Sequence, residues 1–300
     1  MSLLGIGVVL LVLVLIGIPI AISLGLVSVL AMITGPGGVG SIPNVGLVMF
    51  SGATSFPLIA IPLFILAGAI MNASGISRRL VAFASAMVGF VRGGLAMVSI
   101  SASLFFAEIS GSAVADVAAL GSILIPAMKN KGYSSSFAAA VTSSSATLAV
   151  IIPPSIPMIL YGVMSGSSVV ELFVAGIVPG VLGGLMMMFV AYLLARRHNF
   201  PTEEMFKLAR VWETFKEAIW ALSLPLIILG GIFGGWVTAT EGAGLAVVAA
   251  VIIGGVVYRE LDWGHLKTAI LEGGTQTAVV MLLVAASALL GDYLTEVRVP

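Results

Sequence analysis

Cysteine is absent from this chain of 300 residues, and histidine occurs only twice, as His198 and His265. This composition excludes disulfides, thiolate chemistry and a metal site built from cysteine and histidine. Charged residues are also scarce, at 9% of the chain compared with about 25% in ordinary soluble domains. The net charge is zero, and no basic cluster is long enough to indicate a nucleic-acid-binding protein.

Hydrophobic residues make up 60% of the chain, and the mean hydropathy is +1.20. Several windows hold roughly 20 apolar residues without a charge, which is the length that spans a bilayer. No charged region precedes the first apolar run and no cleavage site follows it, so this run predicts a retained helix and not a signal peptide. The sequence therefore predicts an all-α, polytopic transmembrane protein.

The distribution of apolar residues predicts full spans together with two amphipathic helices. Residues 76–92 carry apolar side chains on one face, which predicts a helix along the interface or, alternatively, a short buried helix. Residues 202–217 are the most charged stretch and predict an amphipathic helix on the cytoplasmic surface. Full spans are predicted at 3–33 (kinked at Pro19), 56–73, 168–195, 218–238, 240–257 and 270–291.

Two short apolar segments, 94–109 and 114–128, are separated by the small polar sequence SGSA. At about 1.5 Å per residue, neither segment comfortably crosses ~30 Å of hydrocarbon. Arg92 before the pair and Lys129 after it place both outer ends on the cytoplasmic side. The pattern predicts a re-entrant helical hairpin, with two short full spans as the alternative.

The distribution of basic residues between the two sides of the membrane supports this topology. Arg298 is assigned to the periplasmic side, and the other twelve of the 13 Lys and Arg residues fall on the cytoplasmic side. Such an imbalance is a strong positive-inside signal. The twelve are Arg78, Arg79, Arg92, Lys129, Lys131, Arg196, Arg197, Lys207, Arg210, Lys216, Arg259 and Lys267.

The run at 135–165 is interrupted by the sequence SSSATLAVIIPPSIP (143–157). Each proline lacks an N–H and clashes with the preceding turn, so an uninterrupted helix is excluded. In lipid, irregular backbone survives only where protein covers it or where it lines a cavity. Freed carbonyls and hydroxyls suit Na⁺, and half-helix N-termini suit a carboxylate. The break and the hairpin tip therefore predict an ion and substrate site, although a Ser/Pro kink satisfied by neighbouring hydroxyls is the alternative.

The predicted Na⁺- and substrate-binding residues lie at the tip and at the break. They are Ser110, Gly111, Ser112, Ser144, Ser145, Thr147, Pro153 and Pro154. Glu108 precedes the tip at a depth where an acid is costly and often functional, and it either takes part directly or supports the ligands from beside the cavity. Asp116 lies one turn beyond the tip, where it either complements the start of a helix or touches the ion. Glu241 is predicted to be a helix-start residue.

Four stretches carry a family resemblance: FFAEISGSAVADVAALGSILIPAMKNKGY (105–133), SSATLAVIIPPSIPMILYG (144–162), AGIVPG (175–180) and GGIFGGWVTATEGAG (230–244). They resemble the large membrane subunit of TRAP transporters, the tripartite ATP-independent periplasmic carriers, and the resemblance covers essentially the whole chain. It implies a Na⁺-coupled, elevator-type fold of the bacterial inner membrane with inverted repeats. It also implies a small membrane subunit and a periplasmic binding protein that delivers an organic anion, commonly a sialic acid or a C4-dicarboxylate.

The resemblance also implies a division of the chain. Residues 1–92 supply scaffold spans and an interfacial arm helix, and 93–165 supply the transport-domain hairpin and broken helix. Residues 166–217 supply a span and a cytoplasmic amphipathic helix, and 218–300 begin the second inverted repeat. The sequence ends at TEVRVP, before the second hairpin and second broken helix of the family, so we expect either a fragment or an incomplete two-halved site. Glu108 also departs from the small residue that the family pattern leads us to expect.

Two other functions remain open at this point, an ABC-type permease subunit and a non-transporting membrane scaffold. The chain has no P-loop, and its broken helix does not require a nucleotide-binding partner. No nucleophile–base pair, metal cluster or cofactor motif stands out, so the sequence predicts no enzyme and no cofactor, with Na⁺ as the coupling ion.

Overall fold

The computed structural model describes residues 3–35, 38–198, 200, 202 and 205–298. Within its helices, the side chains of Leu3, Glu108, Ile109, Ser110 and Ala115 lie outside this description. Every regular element among the described residues is helical, which confirms the predicted all-α class.

The α-helices of the described residues are as follows: α1 Leu3–Leu15, α2 Ile20–Thr34, α3 Ile42–Ala53, α4 Ala60–Ala73, α5 Ile76–Val88, α6 Gly94–Ser110, α7 Ala113–Asn130, α8 Ser135–Ala146, α9 Ile156–Ser165, α10 Val169–Arg197, α11 Leu208–Phe233, α12 Ala239–Ile252 and α13 Trp263–Glu296. A π-helical turn, Ile253–Val257, prolongs α12. Helices long and apolar enough to cross a membrane occur at Phe56–Ala73, Val169–Arg197, Leu208–Phe233, Ala239–Val257 and Trp263–Glu296. These five confirm the predicted spans beyond the first apolar run.

The first apolar run is a helical hairpin, and the predicted single kinked span at 3–33 is wrong. Gly17 adopts φ +92, and the Ile18 N–H donates to the Leu13 carbonyl at 3.1 Å, which ends α1. Ile6, early in α1, packs in one buried cluster with residues late in α2 such as Ala31, so the two helices run antiparallel. A glycine in the left-handed region thus turned the chain where the proline alone predicted only a kink.

The chain forms two compact units. One contains the residues up to Ile59 and those from Gly274 onward, and its core gathers α1, α2 and the end of α13 around Val27, Leu289 and Tyr293. The other contains Ala60–Gly273, with the predicted hairpin and broken helix. The predicted division into scaffold and transport regions concerns movement, and it stays a prediction.

Helix α11 begins at Leu208 and continues without interruption from the predicted amphipathic helix (202–217) into the span predicted after it, so the prediction of two separate elements is wrong. Between Leu208 and Leu224 the sequence holds neither glycine nor proline, so a change from charged to apolar side chains leaves the backbone hydrogen bonds intact. Helix α5 packs antiparallel on the charged half of α11, with Phe83 5.7 Å from Phe215 between ring centroids. Its apolar face is buried and Arg78 is exposed, as the amphipathic pattern at 76–92 predicts.

Candidate ion and substrate site

Helix α6 of the hairpin and the broken helix α8–α9 both pack along α10. Near the C-terminal end of α10, Ala195 lies against Gly93, and farther along Gly184 lies against Leu104. The break then reaches Gly180 through Ile152 and Gly176 through Met158. This order shows that α8, the break and α9 run antiparallel to α10 over most of its length.

Two glycines of α10 allow the break to approach this helix closely. A Cβ on Gly180 would lie 2.5 Å from the Ile152 side chain, and one on Gly176 would clash with the Ile151 carbonyl. Glycine therefore brings the backbone of the break directly onto α10, where a larger residue would hold it away.

The hairpin tip is a tight glycine turn. Gly111 adopts φ +58, and its N–H donates to the Ala107 carbonyl at 3.2 Å, which ends α6. Helix α7 begins two residues later, and the Asp116 N–H donates to the Ser112 carbonyl at 3.0 Å. The small residues predicted for the tip thus form the connection between two helices.

The break lies between α8 and α9 and contains a short 3₁₀ turn, Thr147–Val150, before the proline pair. Pro153 and Pro154 bring no N–H to the carbonyls of Ala149 and Val150. The Ser155 hydroxyl donates to the Val150 carbonyl at 2.6 Å and accepts from the Met158 N–H at 3.5 Å, which caps α9. One hydroxyl therefore both compensates the missing proline donor and starts the next helix.

The tip and the break meet. The Ile156 N–H donates to the Gly111 carbonyl at 3.3 Å, and a Cβ on Gly111 would lie 2.8 Å from the Pro154 carbonyl oxygen. Gly111, Pro153 and Pro154 are all buried. The structure thus brings together the hairpin tip and the helix break, the two places where the sequence predicts the ion and substrate site.

This meeting point is also electrostatically polarised. The N-termini of α7 and α9 begin here, and α6 ends here. Helix N-termini carry partial positive charge and favour anions, whereas the C-terminal carbonyls of α6 favour cations. One small region therefore offers both kinds of group, as a site for a cation and a carboxylate requires.

The hydroxyls of α8 are distributed over different surroundings. Ser145 is buried, accepts from the Ser103 hydroxyl at 2.9 Å and donates to the Thr142 carbonyl at 3.1 Å, so it joins α8 to α6. Ser144 is exposed. Together with Phe137, also on α8, and with residues of α10, it lines an apolar groove. The Thr147 hydroxyl donates to the Ser144 carbonyl at 2.6 Å. The side chains of Ser144 and Ser145 thus face neighbouring helices instead of the tip.

The structure describes one of the two acids near the tip, Asp116, and also Ser112 of the tip itself. Asp116 is fully buried in the first turn of α7, the helix-start position that the sequence predicted for it. Ser112 is half-buried beside it. The side chains of Glu108 and Ser110 lie outside the described residues, so their predicted roles stay predictions.

Sequence reasoning missed Ser155 and Ser103. A serine two residues before a proline at the start of an apolar run is an N-cap signal, so Ser155 could have been found. Ser103 gave no local signal, because its partner Ser145 is 42 residues away in sequence.

The sequence is similar to those of known proteins. A family profile described as "Tripartite ATP-independent periplasmic transporter, DctM component" matches residues 7–300. The isethionate TRAP transporter permease protein DctMQ of Oleidesulfovibrio alaskensis is 40% identical, over 92% of this chain and 44% of that protein. The 2,3-diketo-L-gulonate TRAP transporter large permease protein YiaN of Escherichia coli is 41% identical, over 84% of this chain and 59% of its own length.

A further relative is the C4-dicarboxylate TRAP transporter large permease protein DctM of Pseudomonas aeruginosa. It is 39% identical, over 87% of this chain and 61% of that protein. The chain thus spans between 44% and 61% of the length of these three relatives.

Proposed function

Because the chain belongs to the DctM family of tripartite ATP-independent periplasmic transporters, we propose that it works in a Na⁺-coupled secondary transporter that imports organic anions. Family membership makes it an inner-membrane protein related to permease subunits. The relatives are named for isethionate, 2,3-diketo-L-gulonate and C4-dicarboxylates, and all of these substrates are organic anions. The substrate of this chain is proposed to share that charge.

Two partners belong to this proposal, a small membrane subunit and a soluble periplasmic binding protein. The family description names a tripartite periplasmic transporter, which supports three components. The printed name DctMQ belongs to a relative of which this chain covers 44%, which is consistent with extra segments in that protein. Delivery by a binding protein would leave much of the choice of substrate to that partner.

The contact between Gly111 and Ile156 is the observation that carries the proposal. It joins the hairpin tip to the start of α9, so the N-termini of α7 and α9 lie at one point. We assign the Na⁺ ligands to the tip residues and to the carbonyls of the break, and the anion to the two N-termini. Movement of the hairpin and broken helix as one body, as in an elevator, would carry the site across the membrane.

Within this proposal Ser145 has a structural role in place of its predicted role as an ion ligand. Its hydroxyl already bonds to Ser103 and Thr142, so it holds α8 against α6 and orders the start of the break. The Ser112 hydroxyl is the better candidate for direct contact with Na⁺, because Ser112 lies in the tip itself.

The decisive experiment is uptake into proteoliposomes. The complete product of the gene that encodes this chain is reconstituted with its small subunit and binding protein, under an imposed Na⁺ gradient and without ATP. We expect accumulation of a labelled organic anion that follows the Na⁺ gradient and stops when K⁺ replaces Na⁺. Uptake that requires ATP would favour the ABC-type permease, and no uptake under either condition would favour a scaffold.

Ser112→Ala in the same system tests the ion site. We expect a several-fold higher Na⁺ concentration for half-maximal uptake, because one of several oxygen ligands is lost. Ser122→Ala is the matched control, since Ser122 lies on α7, the helix that follows Ser112, is exposed and donates to the Ala119 carbonyl at 2.9 Å. An unchanged Na⁺ dependence in Ser112→Ala would remove the tip hydroxyl from the site.

A further inference from the structure

A polar cleft lies between α5 and α11, remote in sequence from the hairpin tip. Its volume is about 590 Å³, and its walls include Arg78, Arg79, Lys216, Trp220 and Tyr258. Ala82 and Val257 contribute an apolar surface to the same cleft. The cleft therefore combines cationic and apolar walls.

Arg79 is fixed within this cleft. It donates to the Glu260 carboxylate at 2.6 Å and to the Gly75 carbonyl at 3.1 Å, and its guanidinium lies 3.8 Å from the centroid of the Tyr258 ring. Glycine is required at position 75, because a Cβ there would clash with the Glu260 carboxylate. These contacts fix the position of the Arg79 guanidinium, whose charge is paired with the Glu260 carboxylate.

Arg78 and Lys216 are the cations that remain accessible. Arg78 is 70% exposed and uses one nitrogen, Nη2, to reach Glu260, which leaves its other N–H groups directed elsewhere. Lys216 holds its ammonium 5.4 Å from the Trp212 ring, above an aromatic surface. The three cations Arg78, Arg79 and Lys216 face two carboxylates, Glu217 on the wall and Glu260 paired with the arginines, so the cleft carries an excess of one positive charge.

The cleft lies at the end of a membrane-spanning segment. Tyr258 directly follows the span Ala239–Val257, and its hydroxyl donates to the Glu217 carbonyl at 2.8 Å. The basic residues around it are those that the positive-inside imbalance assigns to the cytoplasmic side. Trp220, 52% exposed, is the kind of aromatic residue that is enriched at headgroup depth. An occupant at this level contacts both water and hydrocarbon.

We propose that this cleft binds the phosphate of a phospholipid headgroup in the cytoplasmic leaflet. Arginine offers paired N–H donors that match phosphate oxygens, and basic pockets at the cytoplasmic ends of transmembrane helices bind lipid headgroups. The apolar walls at Ala82, Trp220 and Val257 favour a lipid over soluble phosphate, because they suit the glycerol and upper acyl region. The bound lipid bridges α5 to α11, the pair of helices that forms the cleft.

Native mass spectrometry of the purified chain in detergent tests this proposal. The chain is titrated with dioleoyl phosphatidylglycerol and, separately, with dioleoylglycerol, which has the same acyl chains and no phosphate. We expect a saturable adduct with the phospholipid and about tenfold weaker binding of the phosphate-free lipid. Equal binding of the two lipids would overturn the proposal.

The variant Arg78→Gln/Lys216→Gln locates the site. We expect it to weaken phosphatidylglycerol binding about tenfold, whereas Lys267→Gln, an exposed cation on α13, leaves it within about twofold. Unchanged binding in the double variant would overturn the assignment. In a third arm, displacement of the lipid by millimolar inorganic phosphate would make soluble phosphate the ligand and would also overturn it. Thermal unfolding of each variant verifies that the fold is kept.

Discussion

Single hydroxyl and carboxylate groups in this protein cap helices and join neighbouring helices through hydrogen bonds. Ser155 compensates a proline and caps α9, and Ser145 ties α8 to α6. Glu241 forms a capping box with Thr238 at the start of α12, which confirms its prediction as a helix-start residue. Buried polar atoms need hydrogen-bond partners, and the buried hydroxyls of Ser145 and Ser155 find theirs in a neighbouring helix and in the carbonyl freed by a proline.

The pair Ser103–Ser145 gives the first prediction at this scale. Ser145→Ala should destabilise the chain by about 1–3 kcal/mol, because the buried Ser103 hydroxyl loses its acceptor. Ser103→Ala/Ser145→Ala should be less destabilised than the sum of the single variants, since neither hydroxyl is then left alone. Unfolding in detergent measures the three variants. Strict additivity would show that the hydrogen bond contributes nothing.

Glu260 gives a prediction about pH. The hydrogen bond from Arg79 is the main cause that lowers the pKa of the Glu260 carboxyl below its ordinary value of 4.5. A carboxyl whose pKa is lowered in the folded state stabilises the fold at every pH above its ordinary pKa. This stabilisation is lost as the pH falls through the lowered, folded-state pKa. Glu260→Gln should therefore be less stable than the natural chain by on the order of 1 kcal/mol near neutral pH.

The measurement is thermal unfolding of both forms across a pH series. The difference should stay constant down to about pH 5.5 and shrink as the pH falls below 4.5. A difference that grows on acidification would contradict the assignment. Arg79→Gln should resemble Glu260→Gln, whereas Arg78→Gln should have a smaller effect, because Arg78 is 70% exposed and Arg79 only 19%.

At the scale of elements, the breaks between helices, and not the continuous helices, form the candidate site. Glycines at positive φ end α1 and α6, and the proline pair separates α8 from α9. The interruptions at Gly111 and at Pro153–Pro154 meet. Each therefore covers backbone N–H and carbonyl groups of the other that have no hydrogen-bond partner within a helix.

Two glycines allow this contact to be isolated. Gly111→Ala places a Cβ 2.8 Å from the Pro154 carbonyl oxygen, at φ +58, whereas Gly132→Ala meets open space at φ +85. Both substitutions carry the strain of a left-handed residue, about 1–2 kcal/mol. Gly111→Ala should be destabilised further, because the tip must also move off the break. Equal unfolding temperatures for the two variants would show that the contact contributes little.

The depth of the tip gives a second prediction for elements. Helix α6 has 17 residues and α10 has 29, so at 1.5 Å per residue their lengths are about 26 and 44 Å. Their packing begins near the same end, at Gly93 and Ala195, so the tip stops short of the far end of α10. This geometry favours the re-entrant hairpin over two full spans.

Cysteine labelling in membranes checks that interpretation, and the absence of natural cysteine leaves no background. Arg92→Cys and Lys129→Cys should react with a membrane-impermeant maleimide from the cytoplasmic side. Ser112→Cys should react poorly from either side, because the tip is packed against the break. Strong periplasmic labelling at Ser112→Cys would favour two full spans instead.

At the scale of the whole molecule, the chain belongs to the DctM family. The DctM profile covers residues 7–300, and the motifs quoted from 105–133 and 144–162 are the hairpin and the broken helix of the structure. The compact unit Ala60–Gly273 holds both motifs, together with the cationic cleft between α5 and α11. A transport site and a lipid site would therefore share one unit.

The sequence by itself determined the class of the protein, most of its spans and the two places where helices break. These properties depend on composition and on local backbone chemistry: apolar length decides which segments can cross a membrane, and proline and glycine decide where a helix must end. It also predicted Glu241 as a helix-start residue, and the structure shows that Glu241 closes a capping box with Thr238, a contact that involves only four consecutive residues.

Only the tertiary structure decided which of the candidate residues meet. Ser144, Ser145 and Thr147 are close in sequence, yet Ser145 faces α6 and Ser144 faces the groove beside α10. Gly111 and Ile156 are 45 residues apart and form a hydrogen bond. Local sequence cannot give such pairings, because the packing of whole helices, here set by the glycines of α10, fixes which side of each helix faces the break.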